Sequence, residues 1–181
     1  MTSMQVDNLP SGYTQQKIEL SQQIENPVMR AAVGAEIGGE LASSDPERTA
    51  ALLKQAREAL ANASEPADKL RILEGLVRAQ ISMNDIDNFS PTLSRAYTMG
   101  EQVFRAGVDK NPAAAAFSQP GFDSASRLTH LAIRFNRTAT LAAVDNLGFP
   151  LLQAHMLLVA AESLDPKAPM QRAGMRVRIE D

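Results

Sequence analysis

The 181-residue sequence contains no cysteine and no tryptophan, and aromatic residues make up only 4% of it. The absence of cysteine excludes disulfides, thiolate zinc sites and cysteine nucleophiles. The few aromatic residues, set among many alanines and leucines, favour closely packed helices over sheets, because strands prefer β-branched and aromatic side chains. We therefore predict an all-α protein.

The sequence also lacks a surplus of basic residues and any long apolar run. Its formal net charge is −3 at pH 7, which disfavours nucleic acid as a partner because phosphate binding needs a basic surface. No stretch is long enough to cross a membrane, and residues 1–25 hold no apolar segment like that of a signal peptide. We expect a soluble protein without membrane insertion, cytoplasmic by default.

One segment of the sequence recurs in altered form. Residues 26–41 (NPVMRAAVGAEIGGEL) return as residues 149–164 (FPLLQAHMLLVAAESL), and each copy is followed closely by an Asp-Pro pair, at 45–46 and at 165–166. A recurring helical unit is typical of stacked helix hairpins, because such a hairpin buries its apolar face only against its neighbours.

Proline in a first helical turn and small polar caps indicate where helices begin. Residues 85–89 are predicted to form a turn, and the last helix, apolar on nearly all sides, is predicted to be buried. The pattern predicts eight helices, which pair as four antiparallel hairpins. Their predicted starts are Tyr13, Pro27, Pro46, Pro66, Pro91, Asp123, Asn136 and Pro150.

Three segments divide the chain by composition. Residues 1–12 are predicted to be a flexible leader, residues 13–165 a helical repeat domain, and residues 166–181 an extended or disordered tail. Within the domain, residues 107–121 interrupt the helical pattern with glycines and prolines around an alanine run, and we interpret them as a spacer loop between hairpins. A connection of this length is otherwise often functional or mobile.

Residues 45–56 (DPERTAALLKQA) and 150–164 resemble degenerate tetratricopeptide-like helical repeat proteins of bacteria, notably acidobacterial ones. Such proteins alternate Pro-x-x-(Arg/Gln)-Ala helices with Asp-Pro-Glu-Arg helices. Residues 117–128 (FSQPGFDSASRL) are similar to a segment that often precedes their last repeats. The resemblance covers roughly residues 13–165. It implies a right-handed α-solenoid of about four antiparallel helix hairpins that binds proteins or peptides and rarely catalyses reactions.

The predicted function is therefore a non-catalytic protein-interaction or assembly module without cofactor or metal. Its partner would be a protein or peptide, and a homo-oligomer is possible. Helix arrays present a concave surface on which exposed basic side chains can hold a peptide, although such side chains commonly serve only as solvated charges. The candidate partner-binding residues, on the first helix of each hairpin, are Arg48, Lys54, Arg57, Arg95, Arg134 and Arg137.

An alternative hypothesis is an all-α metal-binding or hydrolytic enzyme. Glu36 and Glu40 lie one helical turn apart, and His155 lies on another apolar helix. Carboxylates and a histidine can hold a metal or act as acid and base, but the sequence contains no His-Glu-x-x-His, phosphate-binding or dinucleotide-binding motif. This hypothesis requires a carboxylate–histidine cluster within about 4–6 Å and a shifted pKa.

Overall fold

The computed structural model describes residues 14–111, 118–119 and 121–165. The prediction of an all-α protein is confirmed for these residues, which form eight α-helices and no strand. The predicted leader, residues 1–12, and tail, residues 166–181, lie outside the described residues. The helices are α1 (Thr14–Gln22), α2 (Pro27–Leu41), α3 (Pro46–Asn62), α4 (Pro66–Met83), α5 (Ile86–Lys110), α6 (Phe122–Phe135), α7 (Arg137–Asp145) and α8 (Pro150–Leu164).

Proline and capping side chains set most of the helix starts, as the sequence predicts. Four helices begin with proline, whose missing N–H would have had no acceptor within the helix. Asn26 caps α2 through its Oδ1, which accepts from the backbone N–H of Val28 at 2.9 Å. Asp45 caps α3 and Asn136 caps α7 in the same way, each at 3.0 Å. Each cap satisfies a donor that the first helical turn leaves free.

The predicted turn at residues 85–89 is wrong, and so is the predicted start of the fifth helix at Pro91. Helix α5 begins at Ile86, so that Pro91 lies inside it. Asp85 caps this start, since its Oδ1 accepts from the backbone N–H of Asn88 at 3.3 Å. In the first turn Phe89 is fully inaccessible and packs edge-on against Phe135 at a ring-centroid distance of 4.8 Å. This contact holds the first turn in helical form despite the backbone hydrogen bond that proline cannot make.

The segment predicted as a loop, residues 107–121, is partly helical. Helix α5 continues through Lys110, while residues 112–117 and 120 lie outside the described residues. Asp123 does not cap α6 as predicted, because Gly121 occupies the cap position with φ +89°. A Cβ atom at Gly121 would lie 2.9 Å from the backbone nitrogen of Phe104. A close approach to α5 therefore fixes this helix start.

Extensive contacts within the described residues join helices that are one or two places apart in the chain order. The largest is between α2 and α4, which run parallel, since Ala32 lies against Gly75 and Gly39 against Ala79. Helices α6 and α8 are also parallel, because Phe122 packs on His155 and His130 contacts Ser163 further along both helices. The main apolar core runs from α2 to α8.

Helix α1 adds a smaller apolar cluster at one end of the molecule. Ile18 and Ile24 pack there with three side chains of α2, which are Val33, Ile37 and Leu41. Lys17 is largely buried beside this cluster, and its Nζ donates to both carboxylate oxygens of Glu40 at 2.9 Å. Helix α1 is thereby fixed on α2.

Helix α8 is not buried on all sides, contrary to the prediction. Leu152, Met156 and Ala160 face the core, but Leu151 and Leu158 are more than half exposed. Apolar composition indicates that a helix can be covered on every side, whereas coverage also requires neighbouring helices. Among the described residues, α8 contacts α6 and α7 on one side, and its other side has no neighbour within that part of the chain.

Candidate interaction groove

Helices α1, α2 and α3 enclose a groove of about 570 Å³, which we call the α1–α3 groove. The more buried part of its lining, which we call the floor, includes the small residues Ala31, Gly34 and Ala59 of α2 and α3. Helix α3 runs antiparallel to α2, with the Thr49 hydroxyl donating to the carbonyl oxygen of Gly38 at 2.9 Å. The hairpin of α2 and α3 therefore forms the floor and one wall, and α1 forms the other wall.

Gly34 enlarges this groove without being required by packing. A Cβ atom at Gly34 would lie 3.6 Å from Cδ2 of Leu52, which is an ordinary van der Waals distance. Glycine in a helix interior costs about 0.5–1 kcal/mol relative to alanine. Helix α2 carries that cost at a position where alanine would fit, and the open space above Gly34 belongs to the groove.

The rim of the α1–α3 groove is polar and carries two arginines. Arg48 Nη1 donates to Oε1 of Gln15 at 3.2 Å, which joins α3 to α1. Arg30 Nη1 donates to the backbone oxygen of Ile24 at 3.3 Å. Glu58 is the acidic residue of the lining, and Lys54 Nζ lies 3.8 Å from its Oε1. The rim therefore has a positive local charge on a protein whose net charge is negative.

Of the six basic residues predicted to bind a partner, Arg48 lies in the groove. Lys54 and Arg57 are on the same helix, α3, but do not line it. Arg95 and Arg137 are exposed on α5 and α7. The prediction missed Arg30, although Arg30 is the arginine of a Pro-x-x-Arg-Ala motif that begins at Pro27.

Arg134, the remaining predicted residue, contacts the end of α8. Its Nε donates to the backbone oxygen of Ser163 at 3.2 Å. One turn earlier on α6, His130 Nδ1 lies 2.8 Å from the Ser163 hydroxyl, which itself donates to the oxygen of Val159. His130 Nδ1 is therefore the donor, because the serine proton is already used. Arg134 places a cation where the dipole of α8 is negative.

The residues of the enzyme hypothesis are not brought together. Glu36 Oε1 accepts from Arg78 at 3.1 Å, while Glu40 pairs with Lys17. His155 packs against the ring of Phe122 at a centroid distance of 4.5 Å, on helix α8. Across the described parts of the chain, no three histidine, aspartate or glutamate side chains are grouped so that they could hold a metal ion.

Tyr97 has a strongly perturbed pKa, and it lies in the core between α5 and α6, away from the groove. Desolvation by burial raises the pKa of its phenol far above the ordinary value. Thr129 uses its own proton to donate to the carbonyl oxygen of Ala125 at 2.8 Å. Tyr97 is thus the donor to Thr129, and the phenol stays neutral in the folded protein.

None of the helices α1 to α8 has the length and apolar character needed to span a bilayer. Comparison of the chain with protein-family models, with curated proteins and with solved structures gave no match. The resemblance to tetratricopeptide-like proteins therefore stays a prediction, and function has to be argued from the helices and the groove.

Proposed function

We propose that this chain is a non-catalytic protein-interaction module, and that its α1–α3 groove binds an acidic peptide segment of a partner protein. The architecture we propose for it is an α-solenoid of about four antiparallel helix hairpins, similar to tetratricopeptide repeats. The groove, with its small-residue floor and arginine-bearing rim, is the observation that carries the functional part of the proposal.

The order of helix contacts supports the solenoid. In solenoids each repeat contacts only its neighbours, so helices two places apart run parallel and adjacent helices run antiparallel. Helices α2 and α4 meet in this way, as do α6 and α8, and α3 runs antiparallel to α2. The matching segments 26–41 and 149–164 correspond to α2 and α8, the first member of one parallel pair and the second member of the other.

The size and chemistry of the groove support a peptide ligand. Its volume of about 570 Å³ lies within the roughly 300–1,000 Å³ of small-molecule and cofactor sites, which suits a short stretch of a peptide. The small floor side chains allow a peptide backbone to approach closely, and glutamine side chains at 22 and 55 offer donors and acceptors for it. Arg30 and Arg48 present planar guanidinium groups, which bind carboxylates in bidentate geometry. An acidic segment complements this rim.

A peptide-display selection tests the proposal directly. The full chain is immobilised and used to select from a random library of twelve-residue peptides, and selected peptides are then measured by fluorescence polarisation. We expect enrichment of aspartate and glutamate, and an affinity that falls with rising salt because the rim charges are screened. The double variant Arg30→Glu/Arg48→Glu should weaken binding at least about tenfold, the effect of losing about 1.4 kcal/mol.

Two further variants separate the groove from general charge effects. Arg57→Glu/Arg95→Glu makes the same change in net charge at exposed positions outside the groove and should leave binding unchanged. Gly34→Leu fills the floor and should weaken binding while the rim charge stays intact. Equal loss in both double variants, or selected peptides without acidic residues, would refute the assignment of the groove.

A further inference from the structure

Helix α8 exposes an apolar face with no charged residue in it. Its large side chains are Leu151 and Leu158, 56% and 52% exposed, and Leu157 and Leu164, each 40% exposed. Glu162 is the sole charged residue of the whole helix. We define the α8 apolar face as Leu151, Ala154, Leu157, Leu158, Ala161 and Leu164. Contiguous apolar patches of this kind usually mark an interaction site.

The internal repeat identifies the face of α2 that corresponds to the α8 apolar face. When residues 149–164 are aligned on 26–41, Leu151 and Leu158 fall on Val28 and Ala35. Ala35 is fully buried in the main core, and Val28 packs against that core. Leu157 and Ala161 fall on Gly34 and Gly38, which lie against Leu52 of α3, the following antiparallel helix. The α8 apolar face thus corresponds to a stacking face that lacks its neighbour in the described part of the chain.

The spacing of the residues along the α8 apolar face indicates what kind of helix can cover it. Leu151, Ala154, Leu158 and Ala161 follow one another at intervals of three, four and three residues, which is the seam of a coiled coil. Leucine and alanine alternate along it. In an antiparallel pair of two such helices, the register that sets Leu151 opposite Ala161 also sets Ala154 opposite Leu158. Each large side chain then meets a small one, and the pairing repeats by two-fold symmetry.

We propose that two copies of this chain associate through the α8 apolar face, with the two α8 helices antiparallel about a two-fold axis. No like charges face each other in that arrangement, since the face itself is uncharged. A parallel pair would set leucine against leucine and alanine against alanine, which packs less evenly. Glu162, which is exposed one helical turn after Leu158, lies at the edge of this face and not in the seam.

The interface is small for a permanent dimer. Stable protein interfaces bury about 800 Å² on each partner, more than one face of a 15-residue helix supplies. We therefore expect an equilibrium that dissociates on dilution. Sedimentation velocity of the full chain over a wide concentration range should show a rise from the 19.5 kDa monomer towards twice that mass.

Two variants test whether the α8 apolar face causes the association. Leu151→Glu/Leu158→Glu should hold the protein monomeric at all concentrations, because a carboxylate cannot be buried unpaired. Ile86→Glu alters another large apolar side chain, 55% exposed at the start of α5, and should leave the dimer unchanged. Circular dichroism of each variant confirms that it is folded. A wild-type protein that stays monomeric at the highest concentration, or a dimer that the double variant does not affect, overturns the proposal.

Cysteine cross-linking tests the orientation on a background free of native cysteine. Leu151→Cys and Ala161→Cys chains are mixed and oxidised. The antiparallel dimer brings residue 151 next to residue 161 of the other copy and should yield the mixed disulfide. Residues 151 of the two copies would then be about 15 Å apart along the axis, beyond the reach of a disulfide. Predominant formation of the two homodisulfides would show a parallel pair and overturn the proposed arrangement.

The same measurements separate the other possible occupants. A chain ending at residue 165 should dimerise like the full chain. If the full chain is monomeric and the shortened chain dimerises, the tail covers the face and the proposal fails. If neither dimerises, while protection of α8 against hydrogen exchange appears only with a different protein bound, the face belongs to that partner and the proposal fails equally.

Discussion

Gly39 of α2 lies so close to Ala79 of α4 that a Cβ atom added to Gly39 would be 2.5 Å from the Ala79 Cα. The contact has a counterpart further towards the start of both helices, where a Cβ at Gly75 would meet the carbonyl group of Ala32. The two parallel helices therefore touch backbone to backbone, with glycine on each helix in turn. This crossing sets the spacing of the largest helix–helix contact among the described residues.

Gly39→Ala should destabilise the protein, whereas Gly34→Ala in the same helix should not. Alanine at 39 forces the backbones of α2 and α4 apart, a clash of the overpacking kind that costs about 1–3 kcal/mol. Alanine at 34 has room beside Leu52 and should stabilise by up to about 1 kcal/mol through helix propensity. Urea unfolding followed by circular dichroism measures both changes, and equal effects of the two substitutions would contradict the close crossing.

Thr129→Val should destabilise the protein more than Tyr97→Phe does. The first substitution leaves the buried Tyr97 hydroxyl without its acceptor, at a cost of about 1–3 kcal/mol. The second removes the donor, while Thr129 keeps its bond to Ala125, so that only about 1 kcal/mol should be lost. The difference in unfolding free energy between the two variants, measured in urea, checks the direction of the hydrogen bond. The reverse order would show that Tyr97 is not the donor.

Alkaline pH should destabilise the protein through Tyr97. The pKa of this phenol is 10.0 in the unfolded reference and is raised in the folded state by burial. Above pH 10 the unfolded chain releases the proton while the folded chain keeps it, so this group's contribution to stability is full below pH 10 and is lost above it. One such proton lowers the unfolding free energy by up to about 1.4 kcal/mol per pH unit.

The measurement compares wild type with Tyr97→Phe by urea unfolding between pH 9 and pH 11. The wild type should lose stability more steeply above pH 10, and the two curves should be parallel below it. The protein has two tyrosines, so a Tyr13→Phe variant leaves Tyr97 as the only phenol for an absorbance titration. Ionisation near pH 10 in the folded state would contradict the raised pKa.

Helix starts were predictable where the signal is local. Pro27, Pro46, Pro66 and Pro150 begin helices because proline suits a first helical turn irrespective of what packs on it. Pro91 gave the same signal, but the helix start predicted from it is wrong. Helix α5 begins five residues earlier, at Ile86, where Phe89 packs against Phe135. The contact between these two aromatic residues, which are distant in the sequence, is not a local signal. Asp85, which caps α5, is a local signal that the prediction did not use.

The groove and the open face of α8 depend on which helices are neighbours. The sequence identified Arg48 as a candidate, and Arg30 was visible in its motif, but their common rim arises only when α2 packs against α3. The apolar composition of α8 predicted burial correctly for the side towards α6 and α7. It could not predict that the opposite side has no neighbour among the described residues.

Arg134→Ala should lower stability locally, although its sequence position suggested a role in binding a partner. The side chain donates to the carbonyl oxygen of Ser163 in the last turn of α8, where a cation also favours the helix dipole. Loss of both effects should cost about 1 kcal/mol and should speed hydrogen exchange at the end of α8. Arg137→Ala, which removes an exposed arginine three residues later, is the control and should change neither quantity. If the two variants behave alike, the contact with Ser163 contributes nothing to stability, and Arg134 is again a candidate for binding a partner.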